Sequence, residues 1–240
     1  MSDKGVLLFC DKTQEIFLPW WYDHYCQTNA YPVAIIDFGM SAKGKKWADS
    51  IGQRIEMAPV ELELEPPPDF MLEEWQSFTR SDYLRARPIW LSKPFALMKT
   101  PFAHTVYLDL DCQVKGALDP LFRIPFGLVP LAQDTLKCWT ERGITMPEHQ
   151  RYNTGVLAYE KNCPIVQAWA EMIAECSCHF WSEQEALMET LRQKEFTVIE
   201  LPDTFNTFPD QQKTDSVIIH HISTSGKLHI IREMLTKICT

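Results

Sequence analysis

A chain of 240 residues, 45% of them hydrophobic, is long enough for one domain with a substantial buried core. Its formal net charge of −9 argues against nucleic acid or an anionic membrane surface as the main partner. No apolar run approaches the roughly 20 residues of a spanning helix, so no transmembrane segment is expected. The stretch from Met1 to Asp11 reaches an acid too soon for a signal peptide. Eight cysteines without regular spacing fit reduced thiols better than a disulfide framework, so a cytoplasmic location is expected.

Residues 5–10 are a short apolar run bounded by charge, the pattern of a buried strand. Asp11 lies just past its end, where open α/β sheets gather ligand contacts. Residues 15–28, with Trp20, Trp21 and Tyr25, read as an aromatic helix that contains Pro19. A second buried strand is predicted over 31–38, ending at Gly39, and a surface helix over 41–52. Strand, helix, strand and helix in succession predict a parallel sheet with helical crossovers. Residues 55–70, with Pro66, Pro67 and Pro68, read as a connection. Residues 71–88, with Trp75, Arg80, Tyr83, Arg85 and Arg87, read as one or two helices. Ser92 is placed as the N-cap of the next helix, with Pro94 in its first turn. Lys93 opposes the helix dipole there; lysine and helix amides together suit a phosphate, and the alternative is a solvated side chain.

Thr105 to Leu108 reads as a strand that runs into Asp109 and Asp111. The two-residue period of a strand puts both carboxylates on one face. Buried without partners, they would cost several kcal/mol or force one to protonate. A divalent cation with oxygen ligands is the usual remedy, and a solvated acidic turn is the alternative. Further strands are predicted over 127–131, 152–159, 196–201 and 216–219. Pro164 opens a helix to about Cys176, and a final helix is placed over 228–238. Ser182 and Glu185 have capping-box spacing, which leaves Glu183 and Gln184 exposed on the first turn. Cys176, Cys178 and His179 lack a second ligand pair and read as packed thiols near a helix end.

Four motifs then follow in order: Tyr107 to Asp111, Asn153 to Val156, Glu183 with Gln184, and His221 with Lys227 six residues later. The series resembles family 8 of the GT-A glycosyltransferases, the glycogenin and lipopolysaccharide galactosyltransferase group, over about residues 5–227. The resemblance implies one α/β, Rossmann-like domain over 1–240, with a mixed, mainly parallel sheet flanked by helices. It implies transfer of a hexose from a nucleotide sugar, a UDP-sugar, to an acceptor hydroxyl that the sequence does not identify, with retention. It also implies Mn²⁺ or Mg²⁺ held by Asp109, Asp111 and His221, with His220 the rival ligand one residue away.

On the same resemblance Lys227 grips the leaving diphosphate and Asp11 lies near the base and ribose. Asn153, Glu183 and Gln184 line the donor sugar. Lys93 stands near where the family carries a donor-contacting arginine; it suits a phosphate but lacks arginine's bidentate geometry. Two departures stand out. Glu183 replaces the family's aspartate, and the late loop Ser225-Gly-Lys-Leu-His lacks the family's usual ending. Two other readings stay open. One is a non-catalytic sugar-nucleotide-binding protein on the same fold. The other is a haloacid-dehalogenase-type phosphatase, whose strand-D-x-D normally opens its fold.

Overall fold

The structure is a computed structural model that describes residues 3–62, 64, 82–125, 127–133, 152–180 and 182–239. Its central sheet contains β1 (Lys4–Cys10), β2 (Val33–Asp37), β3 (Gln53–Glu56), β4 (His104–Leu108) and β8 (Val156–Glu160), in the order β3-β2-β1-β4-β8. The first four strands pair in parallel, and β8 closes the β4 edge antiparallel with Leu108 opposite Val156. Two smaller sheets complete the pattern. One pairs β5 (Cys112–Val114) with β10 (Ile218–His220); the other runs β7-β6-β9 through β7 (Tyr152–Asn153), β6 (Pro130–Gln133) and β9 (Ile199–Glu200).

Strand alternation divides the core between the two faces of the central sheet. Val6, Leu8, Val33, Ile35, Val106 and Leu108 pack on one side, with Trp20 and Trp21 of α1 (Leu18–Tyr25) and Ile230 of α7 (Ser223–Cys239). Leu7, Phe9, Ala34, Ile36 and Tyr107 face the other side. There they meet α4 (Lys93–Leu97), α5 (Pro164–Cys176) and α6 (Glu183–Lys194). The remaining helices are α2 (Ala42–Ile51) and α3 (Asp82–Leu91). Among the described residues no helix is long and apolar enough to cross a membrane.

Several boundaries differ from the sequence reading for identifiable reasons. The helix expected over 15–28 is a 3-10 turn, Glu15–Phe17, followed by α1, because Pro19 lacks an N–H and is accommodated only in a first turn. β3 is an additional edge strand. Its Arg54 and Glu56 form ion pairs with each other and with Asp37 and Lys45, so no apolar alternation marks it. The strand expected over 152–159 breaks at Thr154 and Gly155, where the chain passes from one sheet to another. Ser92 does not cap α4 through its side chain; its hydroxyl donates to Pro88 O and accepts from Val60 N. Ser182 has the extended backbone of an N-cap without a side-chain cap bond. The last helix begins at Ser223, five residues before its expected start, so Lys227 lies inside it. The strand expected over 127–131 is shifted to 130–133, after Gly127 at φ +78°. Residues 65–81, which hold the three prolines and most of the helical segment expected after them, lie outside the described residues.

Candidate functional site

β4 ends at Leu108, and the chain turns through Asp109 to Asp111 into β5. The turn is fixed from three sides. Cys112 N donates to Asp109 O at 3.0 Å, Asp109 N donates to Gly155 O at 2.8 Å, and His221 N donates to Asp111 O at 2.9 Å. The two carboxylates therefore stand at the C-terminal edge of the sheet, their side chains 30% and 13% exposed.

The strand register selects the histidine that meets them. On β10, His220 lies directly opposite Cys112 of β5, so the two side chains share a face. His220 Nε2 is 3.2 Å from Asp111 Oδ1 and 3.8 Å from Asp109 Oδ2. Its other nitrogen, Nδ1, lies 3.0 Å from Asn206 Oδ1, an arrangement that directs the Nε2 lone pair toward the carboxylates when Nδ1 carries the proton. His221, the expected ligand, points elsewhere. It stacks on His229 at 5.1 Å, meets the Trp20 ring edge-on at 5.7 Å, and places Nε2 3.3 Å from Gln113 Oε1. The structure thus brings His220, and not His221, to the aspartates.

Charge follows this arrangement. Burial works to raise the Asp111 pKa, but His220 outweighs it, with a smaller contribution from Lys227, and the carboxyl is held below its ordinary value. Burial works to lower the His220 pKa, and Asp111 outweighs it, so the imidazole is held above its ordinary value. His221, buried and beside His229, is pushed down to about 4.

Behind the aspartates sits a buried polar network. Lys93, 5% exposed, places Nζ 3.0 Å from Glu183 Oε1, 3.4 Å from Asp109 Oδ1 and 3.2 Å from Thr154 Oγ1. Burial alone would lower the lysine pKa; the Asp109 and Glu183 charges outweigh it and hold the ammonium protonated. Lys93 is therefore neither solvated nor unpaired. Glu183 is buried rather than exposed, and accepts from Thr154 Oγ1 at 2.9 Å. Gln184, half-buried, accepts through Oε1 from Thr154 N and Asn153 Nδ2, both at 3.3 Å. Asn153 Oδ1 in turn accepts from Gly155 N at 2.8 Å and from Asn206 Nδ2 at 3.0 Å. Tyr107 donates its hydroxyl to Asp109.

Asp11 is held within its own turn. Its Oδ1 accepts from Thr13 N, Thr13 Oγ1 and Gln14 N at 2.8–2.9 Å, which closes the turn leaving β1. Among the described residues no hydrogen bond or ion pair joins it to the aspartate turn. Sequence reasoning missed Tyr107 and Asn206 as members of this network, and it missed the thiol of Cys112. Asn206 follows a short 3-10 turn and carries no local pattern. Cys112 is adjacent to the aspartates, and that adjacency was its only available signal.

Among the described residues, Asp111, Cys112 and His220 form a set whose ligand atoms all lie within 4.8 Å of one another. An acid, a thiol and an imidazole converging on one space are chemically suited to a divalent cation, and Asp109 stands beside them with Oδ2 3.8 Å from His220 Nε2.

No protein-family profile matches the chain, and no curated protein does. Solved structures do. Galactosyltransferase LgtC in complex with donor and acceptor sugar analogs superposes with TM-score 0.55 at 14% identity, over 92% of this chain and 87% of that one. The fold is that of the GT-A glycosyltransferases. The GT-A match extends to mouse xyloside xylosyltransferase 1, TM-score 0.52 at 13% identity, over 91% of this chain and 97% of that one. It includes the bifunctional glycosyltransferase WbbM, TM-score 0.60 at 13% identity, where 92% of this chain spans 46% of the other. In this GT-A frame the aspartate turn stands at the end of β4, where the fourth parallel strand meets antiparallel β8.

Proposed function

We propose that the protein is a metal-dependent glycosyltransferase that moves a hexose from a nucleotide sugar, a UDP-sugar, to an acceptor hydroxyl. The observation that carries this reading is the convergence of Asp109, Asp111 and His220 at the end of β4, with Lys227 close enough to stabilise the Asp111 charge. Asp109, Asp111 and His220 would hold Mn²⁺ or Mg²⁺. When bound, the cation supplies a Lewis acid for the donor diphosphate.

The rest of the work belongs to the chain. Lys227 adds positive charge where the leaving diphosphate gains negative charge. Asn206 orients His220, and Thr154 with Asn153 holds the Gln184 amide, so the site is ordered before substrate arrives. Gln184 stands nearest the donor sugar in this reading. An active-site glutamine-to-glutamate mutant is named for the galactosyltransferase LgtC, whose structure also superposes here with TM-score 0.53 at 17% identity, over 90% of this chain and 86% of that one. Lys93 and Glu183, assigned to the donor from sequence, act instead by positioning Asp109 and Thr154 from below. Retention is proposed with the family resemblance, and the anomeric configuration of the first product, read by NMR, checks it.

The test is thermal stability with a panel of nucleotides and sugar nucleotides, with and without Mn²⁺. A ligand at a hundred times its Kd stabilises a fold by about 2.7 kcal/mol, well within reach of such a scan. A Mn²⁺-dependent rise with UDP or one UDP-sugar, lost in Asp111→Asn, is expected. A flat response across the panel would overturn the reading. A second reading draws on the mutual pairing of Lys93 and Glu183, which withdraws two expected donor contacts: a sugar-nucleotide binder without turnover. Slow donor hydrolysis by the purified protein favours the enzyme; tight UDP binding without hydrolysis or transfer favours the binder. The phosphatase alternative is set aside by the fold, in which Asp109 follows the fourth strand rather than the first.

A further inference from the structure

We propose that Cys112 is a metal ligand beside Asp111 and His220, so that the site accepts thiophilic divalent cations and not only oxygen-seeking ones. The inference rests on the reading of this turn as a metal centre, and it adds a ligand and a class of cation to that reading.

Three independent features place the thiol. The β5–β10 register sets Cys112 directly opposite His220, which puts the two side chains on one face. The Cys112 thiol donates to Gly155 O at 3.7 Å, while a Cβ built on Gly155 would meet His220 Cε1 at 2.2 Å. Thiol and imidazole thus both lie against the Gly155 backbone. Finally, one ligand atom each from Asp111, Cys112 and His220 lies within 4.8 Å of the others, near enough to close on one cation with small side-chain shifts. The other described thiols do not share such a set.

The donor set decides the metal class. Carboxylates favour Mn²⁺ and Mg²⁺, imidazole suits Zn²⁺ and Co²⁺, and thiolate selects softer ions such as Cd²⁺. On coordination the S–H bond breaks, a sulfur–metal bond forms, and the proton leaves to solvent. Zn²⁺ outranks Mn²⁺ at almost any nitrogen–oxygen site, so a preference for Zn²⁺ alone says little about Cys112. A signal from the sulfur–metal bond itself is needed.

The full-length chain, stripped with chelator, is titrated with Co²⁺ and separately with Cd²⁺ while thiolate-to-metal charge-transfer absorption is recorded. One equivalent of band is expected in the wild type, absent in Cys112→Ser and His220→Ala and retained in Cys178→Ser. Serine keeps a hydroxyl donor near Gly155 O, and Cys112→Ala provides a second variant without any side-chain donor. Cd²⁺ affinity should fall about tenfold or more in both, the scale on which losing one metal-site partner acts, while Mn²⁺ affinity by electron paramagnetic resonance changes less than about twofold. Co²⁺ uptake that Asp111→Asn abolishes, with identical spectra for wild type and Cys112→Ser, would overturn the role of Cys112 and leave the metal centre standing. Absence of Co²⁺, Cd²⁺ and Mn²⁺ uptake at this turn would overturn the metal centre, and the inference with it.

Discussion

A Cβ added to Gly155 would lie 2.2 Å from His220 Cε1 and 2.8 Å from its Nδ1. His220 cannot swing aside cheaply, because Asn206 holds Nδ1 and Asp111 faces Nε2. Gly155→Ala is therefore expected to displace the imidazole, at about 1–3 kcal/mol of stability, the usual scale of overpacking. It should also weaken Mn²⁺-dependent nucleotide binding. Urea denaturation and a Mn²⁺ titration check both effects, and unchanged Mn²⁺ affinity would separate His220 from the metal.

The adjacent histidines make opposite predictions with pH. His221 is pushed down to about 4 in the fold, so between roughly pH 6.5 and 4 the unfolded chain takes up the proton first and stability falls with acidification. His220 is held above its ordinary value, so its contribution is complete below about pH 6.5 and is lost as pH rises through its folded pKa. With the metal removed, His221→Asn should flatten the acid limb of the stability–pH profile and His220→Asn the alkaline limb. The slope belonging to each stays below the one-proton limit of about 1.4 kcal/mol per pH unit. Profiles parallel to the wild type in both variants would contradict these assignments.

At the scale of elements, the same site explains what the sequence could show. The strand ending in two aspartates was legible because alternation and local charge are local properties. Which histidine joins them was not. That choice depends on the pairing of β10 with β5, more than a hundred residues earlier in the chain, and one step of register exchanges His220 for His221. Lys93 was illegible for a related reason. Its α4 position looks solvated until α6 places Glu183 against it, 90 residues later. The capping-box spacing of Ser182 and Glu185 matched an N-terminus that is real, yet Ser182 makes no side-chain cap bond, because spacing does not dictate rotamers.

The α4–α6 pair yields its own test. Removing one partner of a buried ion pair typically costs about 3–5 kcal/mol, and Glu183→Ala should approach that range from below because Asp109 stays 3.4 Å from Lys93. Glu183→Gln keeps the shape and an oxygen for Thr154, and should lose less. Chemical denaturation of the two variants checks the order. Equal losses would mean that the charge carries the whole effect, and that the shape of the side chain and its Thr154 contact add little.

For the whole molecule the relevant quantity is the net charge of −9. An acidic protein attracts a divalent cation at long range and repels the diphosphate of a nucleotide sugar. On the proposed reading that opposition would be met by order: a cation bound first would, with Lys227, reverse the local sign at the end of β4 before a donor diphosphate arrives. The net field depends on ionic strength, since the Debye length falls from about 30 Å at 0.01 M salt to about 10 Å at 0.1 M. The contacts within the Asp109–Asp111–His220 cluster are 3.2–3.8 Å and are screened far less. Mn²⁺ affinity should consequently fall as salt rises across that range, while nucleotide affinity measured at saturating Mn²⁺ should change less. Isothermal titrations at several salt concentrations read both slopes. Mn²⁺ binding that strengthens or holds constant with added salt would show that the acidic surface takes no part in loading the site. The local cluster alone would then account for cation capture.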